Sequence, residues 1–569
     1  MNLLEKHFAI ATEAADGINK LRLLIYSLGM QGKLSEQKST DLSAAELLQL
    51  IIKEKTIYIK ENSIRTNKSS SIEFSKSQFP IPNSWLWVTL DDITNFITDY
   101  QSNGSFAGLR KNVISYRTPN FAVQVRLTDL RNNLNNSDNF LYTDKHGYDF
   151  LIKSKLEGGE ILVANVGAGV GTTLIMPTVD FKATLAPNMF KVILSSKISK
   201  SYFLYFTKSK FYQTYFIDNI KSTAQPKINK TEYKSIYFPL PPLEEQKRIV
   251  ERIEQLMSLC DKLEQQRDSK NNLLSRLNSS SINKLISAAD SNSLNYAWRF
   301  IQNQFELIFA DKRNVLDLKE VILSLAMRGK LATNNSNDIP SSKLLVEIEA
   351  ERKLLIKQKL ISKPKDLPLI MESEIKYALP LGWEWVRLNE YGIWKSGSTP
   401  SRTNHSFYGG DIPWVKSGEV KQGRIKEASE RITEIAIQKC SLHRNPIGSV
   451  LIAMYGANIG EVGVLEIEAA TNQAVCACKT YSLINNEFLY YLLLSLKSNF
   501  ISQGAGAAQP NISREKIINT VVPLPPLNEQ ERIVNKIDSL FQIADMLESS
   551  IEESSKKQTQ ILDSVLANI

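Results

Sequence analysis

Two stretches of the chain gather cations, amides and hydroxyls at close spacing. One holds Arg110, Lys111, Arg117, Gln124, Arg126 and Arg131. The other holds Thr399, Ser401, Arg402, His405, Tyr408, Lys416, Lys421, Arg424 and Lys426 in a glycine-rich region. Side chains of these types offer recognition rather than bond-making: charge for a polyanion, and directed hydrogen bonds for groups lying between its charges. Exposed lysines and arginines are common on any protein surface, so the clusters carry more weight than single members. The balance of 69 Lys plus Arg against 60 Asp plus Glu, a net charge of +9, permits a polyanionic partner.

Signals for catalysis or cofactor binding are weak. There is no G-x-x-x-x-G-K-[ST] phosphate loop. GAGVG (Gly167 to Gly171) does not complete G-x-G-x-x-G, and its counterpart GANIG (Gly456 to Gly460) also lies between strand-like runs, so tight hairpins account for both. Cys440, His443, Cys476 and Cys478 could be drawn as zinc ligands, but the first half of the chain has no equivalent cysteines, and buried free cysteine is the simpler reading. Asn445-Pro446-Ile447 lacks the second proline and the aromatic of an amino-methyltransferase loop, and none of the 4 histidines has a counterpart in the other half. No metal or cofactor is expected on this chain. Only 4 cysteines in 569 residues fit a reducing cytosol. The segment MNLLEKHFAIATEAADGINK is not a secretory signal, and FLYYLLLSL (Phe488 to Leu496) is far short of the roughly 20 apolar residues that span a bilayer, so the expectation is a soluble cytoplasmic protein without a membrane partner.

The elements that must position the two clusters occur twice. PLPPLEEQKRIVERI (Pro239 to Ile253) returns as PLPPLNEQERIVNKI (Pro523 to Ile537). AQPKI (Ala224 to Ile228) returns as AQPNI (Ala508 to Ile512), and GEILVANVGAGVG (Gly159 to Gly171) as GSVLIAMYGANIG (Gly448 to Gly460). FPIPNSWLWVTL (Phe79 to Leu90) returns as YALPLGWEWVRL (Tyr377 to Leu388), and IYSLGMQGKL (Ile25 to Leu34) as ILSLAMRGKL (Ile322 to Leu331). Blocks in the same order mean a tandem duplication of one long unit. Each half opens with amphipathic helices, over Leu3 to Leu34 and Leu42 to Lys60, then over Asn303 to Leu331 and Ser342 to Leu360. Each W-x-W-V-x-L segment then begins a run of short strands, followed by a helix near Tyr202 to Asp218 or Asn486 to Asn499.

After each PLPPL, proline turns the chain, and Glu244 and Glu245, or Asn528 and Glu529, suit a helix N-terminus. The apolar spacing then becomes four-three: Ile249, Ile253, Leu256, Cys260, Leu263, and Ile533, Ile537, Leu540, Ala544, Leu547, Ile551. That is a coiled-coil seam. Neither globule can cover it over such a length, so the two long helices are predicted to pair antiparallel. The divisions predicted are residues 1–78 helical, 79–240 a first α/β domain, 241–376 a helical spacer, 377–524 a second α/β domain, and 525–569 a terminal helix.

Two α/β domains alternating with two PLPPLxEQxRIV helices, with WKSGSTPSRTNHSFYGGDIPWVKSGEV (Trp394 to Val420) in the second, resemble the specificity subunits of type I restriction–modification systems. The likeness covers essentially the whole chain. The first domain departs from it: TDYQSNGSFAGLRKNVISYRTPNFAV has no T-P-S-R loop and no I-P-W-V. The resemblance implies an α+β fold of two α/β target-recognition domains separated by long paired antiparallel helices, a pseudo-twofold tandem repeat. It implies that each domain reads one half of a bipartite double-stranded DNA site and that the helices set the spacer. It further implies docking of two methyltransferase subunits that carry S-adenosylmethionine, with restriction and translocase subunits joining for cleavage, while this chain performs no chemistry. On that reading the DNA-binding residues are Arg110, Lys111, Arg117, Gln124, Arg126, Arg131, Thr399, Ser401, Arg402, Tyr408, Lys416, Lys421 and Arg424; Gln225 and Gln509 are left aside as turn formers. The competing reading is a pseudosymmetric scaffold that binds proteins and not DNA.

Overall fold

The computed structural model describes residues 8–14, 16–64, 79–135, 137–219, 226–288, 290–331, 335, 337–363, 367–504 and 511–567. They form two compact units: residues 1–269 with 555–569, and residues 270–554.

In the first unit, α1 (Gly17–Met30) and α2 (Ala44–Glu61) precede the strands. A capping box starts α2, Ser43 accepting from the Glu46 N–H while the Glu46 carboxylate accepts from the Ser43 N–H. Strand β1 (Leu86–Thr89) pairs antiparallel with β10 (Tyr237–Leu240), a two-stranded ribbon through which the chain enters and leaves the domain. Between them lie β2 (Thr94–Asp99), β3 (Ala122–Val125), β4 (Leu141–Thr143), β5 (Lys155–Leu156), β6 (Ile161–Ala164), β7 (Thr173–Ile175), β8 (Ala183–Leu185) and β9 (Met189–Leu194). They build two sheets, β2-β9-β6-β7 and β4-β3-β8-β5. Alternation along β6 explains the layering: Ile161 and Val163 join the core shared with the helices, while Leu162 faces the core of the second sheet.

The second unit repeats the plan with α4 (Lys312–Met327) and α5 (Ser341–Lys357), following the long helix α3 (Leu243–Ser287), whose first part belongs to the first unit. The helix expected over Asn303 to Leu331 is split, because Asp311 caps the start of α4. Strand β11 (Glu384–Arg387) pairs with β20 (Val521–Leu524) as β1 does with β10. Within that ribbon run β12 (Gly392–Ser396), β13 (Tyr408–Val415), β14 (Arg424–Ile425), β15 (Glu430–Ile432), β16 (Val450–Ala453), β17 (Val462–Leu465), β18 (Ala470–Thr471) and β19 (Val475–Thr480). The sheets are β12-β19-β16-β17-β14 and β15-β13-β18. The two domains therefore share a strand plan and differ at its margins: β5 flanks β8 in the first, and β14 flanks β17 in the second.

The glycine segments are turns between antiparallel strands, β6 to β7 and β16 to β17. The segment after each AQP lies against them: Val166 bridges Lys227, and Tyr455 bridges Asn511. Gln225 and Gln509 themselves fall outside the described residues.

The seam of the long helices starts on its own domain, contrary to the expectation that it has no cover there. Ile249 and Ile253 are fully buried in the first unit's core, where Gly29 of α1 lets α3 approach; a Cβ at Gly29 would meet Ile253 at 2.9 Å. Ala326 holds the matching place in the second unit, in the core with Ile533 and Ile537. Further along, the long helices share cores. Leu562 of α6 (Leu527–Ala567) lies in the cluster containing Leu256, Cys260 and Leu263, and Leu547 lies in the one containing Leu277 and Ile282, an order that runs antiparallel. Ion pairs on the short helices reinforce each set: Lys20 with Asp563 and Arg22 with Asp261 and Glu264 in the first unit, Lys319 with Asp545 and Lys312 with Glu548 in the second. No described helix is long and apolar enough to cross a membrane.

Candidate nucleic-acid interface

In the second domain the T-P-S-R segment leaves β12 and folds over the loop between β18 and β19. Gly397 is required there, since a Cβ would meet the Thr471 carbonyl at 2.0 Å; Gly397 and Ser398 donate their N–H groups to Val475 and Thr471. Ser401 is exposed and bonds Thr403 at 2.8 Å. Thr399 is exposed and donates to the amide oxygen of Gln473. Gln473 is a residue the sequence reading missed; the only signal for it is its place in the turn between two strands. Arg402 lies with its guanidinium 4.7 Å from the Tyr408 ring centre and 5.3 Å from that of Trp414, paired to Glu430 at 2.6 Å. Lys416 reaches the same carboxylate at 2.8 Å, and the two cations, Arg402 above all, hold Glu430 down to about 2. The Tyr408 hydroxyl donates to the Pro400 carbonyl at 2.7 Å. Arg424 pairs with Glu487 at 2.6 Å, and Lys426 with Glu466 at 3.7 Å. Lys421 and His405 are exposed.

In the first domain Arg110 and Lys111 end the helix Phe106–Asn112, where cations favour the helix dipole, and Arg110 covers the Phe106 ring at 5.2 Å. Both are exposed, as is Arg117, and none forms an ion pair with another described residue. Arg131 is exposed beside the glycine turn: a Cβ on Gly169 would meet its Nη2 at 2.9 Å.

Two candidates do not present themselves to a ligand. Gln124 is 1% exposed on the face of β3, and its amide oxygen accepts from Ser115 at 2.7 Å. Arg126 is spent on local structure: it forks onto the buried Asp129 and donates to the Asn139 carbonyl at 2.6 Å. The structure thus brings Thr399, Ser401, Arg402, Tyr408 and Lys416 around one loop, gathers Arg110, Lys111 and Arg117 on and after one short helix, and withdraws Gln124.

The description "Type I restriction modification DNA specificity domain" matches residues 82–271 and again 380–554. The chain belongs to that family. It is similar to the type I restriction enzyme EcoAI specificity subunit of Escherichia coli, 28% identical with 96% of this chain and 93% of that one covered. The EcoEI specificity subunit of the same organism is 26% identical over the same shares. The crystal structure of the HsdS subunit from Thermoanaerobacter tengcongensis aligns with 86% of this chain and 98% of that one at 18% identity and a TM-score of 0.38. This type I specificity subunit carries two tandem specificity domains.

What ties each specificity domain to its long helix was also missed. Glu245 and Glu529 look like acidic residues placed for a helix N-terminus, yet they are 0% and 1% exposed. Trp85 Nε1 donates to Glu245 at 2.9 Å, and Trp383 Nε1 to Glu529 at 2.8 Å. The next residue repeats the device: the Gln246 amide oxygen accepts from the Ser199 N–H at 2.9 Å while its nitrogen donates to the Pro241 carbonyl, and Gln530 does the same with Asn485 and Pro525. Arg248 pairs with Asp41 at 2.5 Å, and Arg532 pairs with Asp338. The signal was in plain view, as E-Q-x-R is identical in both copies; only its partners, far along the chain, were hidden. Cys476 and Cys478, two residues apart on β19, both face the apolar core, and burial pushes the Cys476 thiol up to about 12.

Proposed function

We propose that each specificity domain reads one half of a bipartite double-stranded DNA site. The long helices set the spacing between the halves and dock two methyltransferase subunits. The chemistry belongs to those partners, which carry S-adenosylmethionine, and restriction and translocase subunits join for cleavage; this chain is the non-catalytic address reader.

The observation that carries the reading is the identical Trp–Glu–Gln–Arg anchor holding two domains whose exposed loops differ. The first offers Arg110, Lys111 and Arg117, which form no ion pair with another described residue, and the second offers Thr399, Ser401 and Arg402 on a braced loop. Cations suit phosphates, and directed donors and acceptors suit base edges. One domain alone covers few base pairs; joined by a stiff element, the second contact becomes effectively intramolecular. A helix of 45 residues such as α3 is about 67 Å long at roughly 1.5 Å per residue, stiff enough to penalise half-sites at the wrong separation.

Single-molecule methylome sequencing of a host with and without the gene tests this. A bipartite motif that disappears with the gene is the expected result. Unchanged methylation, together with no salt-dependent DNA binding by the assembled complex, would instead favour a scaffold that binds only proteins.

A further inference from the structure

Arg402 is held in an unusual way for a surface arginine. Its guanidinium rests on the rings of Tyr408 and Trp414, at 4.7 and 5.3 Å. That floor is itself fixed, with Trp414 Nε1 donating to the Ser398 carbonyl at 3.2 Å and the Tyr408 hydroxyl to Pro400 at 2.7 Å. At the end of the fork Nη1 and Nη2 meet the two Glu430 oxygens at 2.6 and 3.3 Å. Lys416 holds Glu430 from the other side at 2.8 Å. A guanidinium has five N–H donors. With the end-on pair given to Glu430, the side-on pair, Nε–H and one Nη–H, has no hydrogen-bond partner among the described residues, and it too can meet two acceptors in one plane.

The neighbouring carboxylate decides what those acceptors are. Phosphate oxygens approaching this fork would meet Glu430, and the local charge of Arg402, Lys416 and Glu430 together is only one positive. A neutral base edge meets no such penalty, and the edge that offers two coplanar acceptors in the major groove is the O6 and N7 of guanine. We infer that Arg402 reads a guanine in the half-site of the second domain, and that Glu430 is a positioning residue that sets the guanidinium plane for it. The inference rests on the second domain being a DNA reader, as proposed above. It explains the lysine as well: Lys416 keeps Glu430 in place and is not itself a DNA contact.

The test uses the full chain assembled with its modification subunits. Methylation rates are compared on a duplex carrying the motif and on duplexes in which each guanine of the motif is replaced in turn. For the unaltered complex, one replacement lowers the rate about ten- to hundredfold. With Arg402→Ala that discrimination vanishes at the one position and the rest of the motif is unchanged. Arg402→Lys does not restore it, since an ammonium cannot form the fork. Glu430→Gln weakens discrimination at the same position and adds nothing to Arg402→Ala in the double variant, whereas a merely structural glutamate would lower the rate on every duplex. A motif with no guanine that relaxes in Arg402→Ala, or a rate that falls equally on all duplexes, overturns the inference and leaves the bipartite reading standing. Absence of any bipartite motif for the unaltered complex overturns both.

Discussion

Trp383 donates its indole N–H to Glu529, a carboxylate that is 1% exposed and whose other oxygen has no partner among the described residues. Its twin Glu245 is fully satisfied, by Trp85 on one oxygen and by Ser35 and Gln37 on the other at 2.8 and 2.9 Å. Burial raises the Glu529 pKa above its ordinary 4.5, so the folded state holds that proton more tightly. Its contribution to stability is therefore present below that value and is lost as pH rises through the folded pKa. Glu529→Gln keeps an acceptor for Trp383 and removes a buried charge, so stability at pH 7 stays level or rises. Glu245→Gln must turn an N–H₂ toward existing donors and costs about 1–3 kcal/mol. Denaturant unfolding of the two variants checks this; equal losses would refute it.

The paired Asp41 and Asp338 respond to pH in the opposite sense. The arginines Arg248 and Arg532 hold both below the ordinary aspartate value of 3.8. Their contribution is complete above that value and is lost as pH falls through the folded pKa. Asp41→Asn and Asp338→Asn should therefore flatten the acid limb of the stability profile, measured by thermal unfolding between neutral pH and about pH 3.

Salt should separate the two domains. Arg110, Lys111 and Arg117 carry charge with no counter-ion among the described residues, while Lys416 and Arg424 are matched by Glu430 and Glu487. Replacing one of the first three by Ala should reduce the slope of log K against log salt by about 1. Lys416→Ala or Arg424→Ala should change it far less. Titrations of the assembled complex with its methylated duplex at several salt concentrations decide the matter.

Spacing should follow helix length. One heptad added to each long helix preserves the seam and adds about 10 Å, or about three base pairs at roughly 3.4 Å each. The methylome of such a variant should show both half-sites intact with a longer gap. Altered half-site bases with the original gap would contradict the ruler.

Much of the fold was legible because its signals are local. The proline turns, the W-x-W-V-x-L strands and the apolar run GEILVANV declare themselves within a few residues, and duplication doubled each signal. The site was half legible. Residue type identified the cations, but whether a cation is free depends on acids elsewhere in the chain: Glu430 for Arg402, Glu487 for Arg424, and the buried Asp129 for Arg126. Gln124 was misplaced because a polar residue in a short run gives no clue that its face of the strand is covered.

The ribbons β1–β10 and β11–β20 bring the chain into and out of each lobe at one place. Thr89 faces Tyr237 across one ribbon, and Arg387 faces Val521 across the other. Whatever chain lies between such facing residues begins and ends at one spot, so its outer loops and second sheet can be exchanged as long as the newcomer keeps the backbone N–H from which Gln246 or Gln530 accepts and the apolar face laid on the helices. A lineage carrying this design could trade one lobe for another while the joints outside it, Trp85 with Glu245 and Trp383 with Glu529, stay in place.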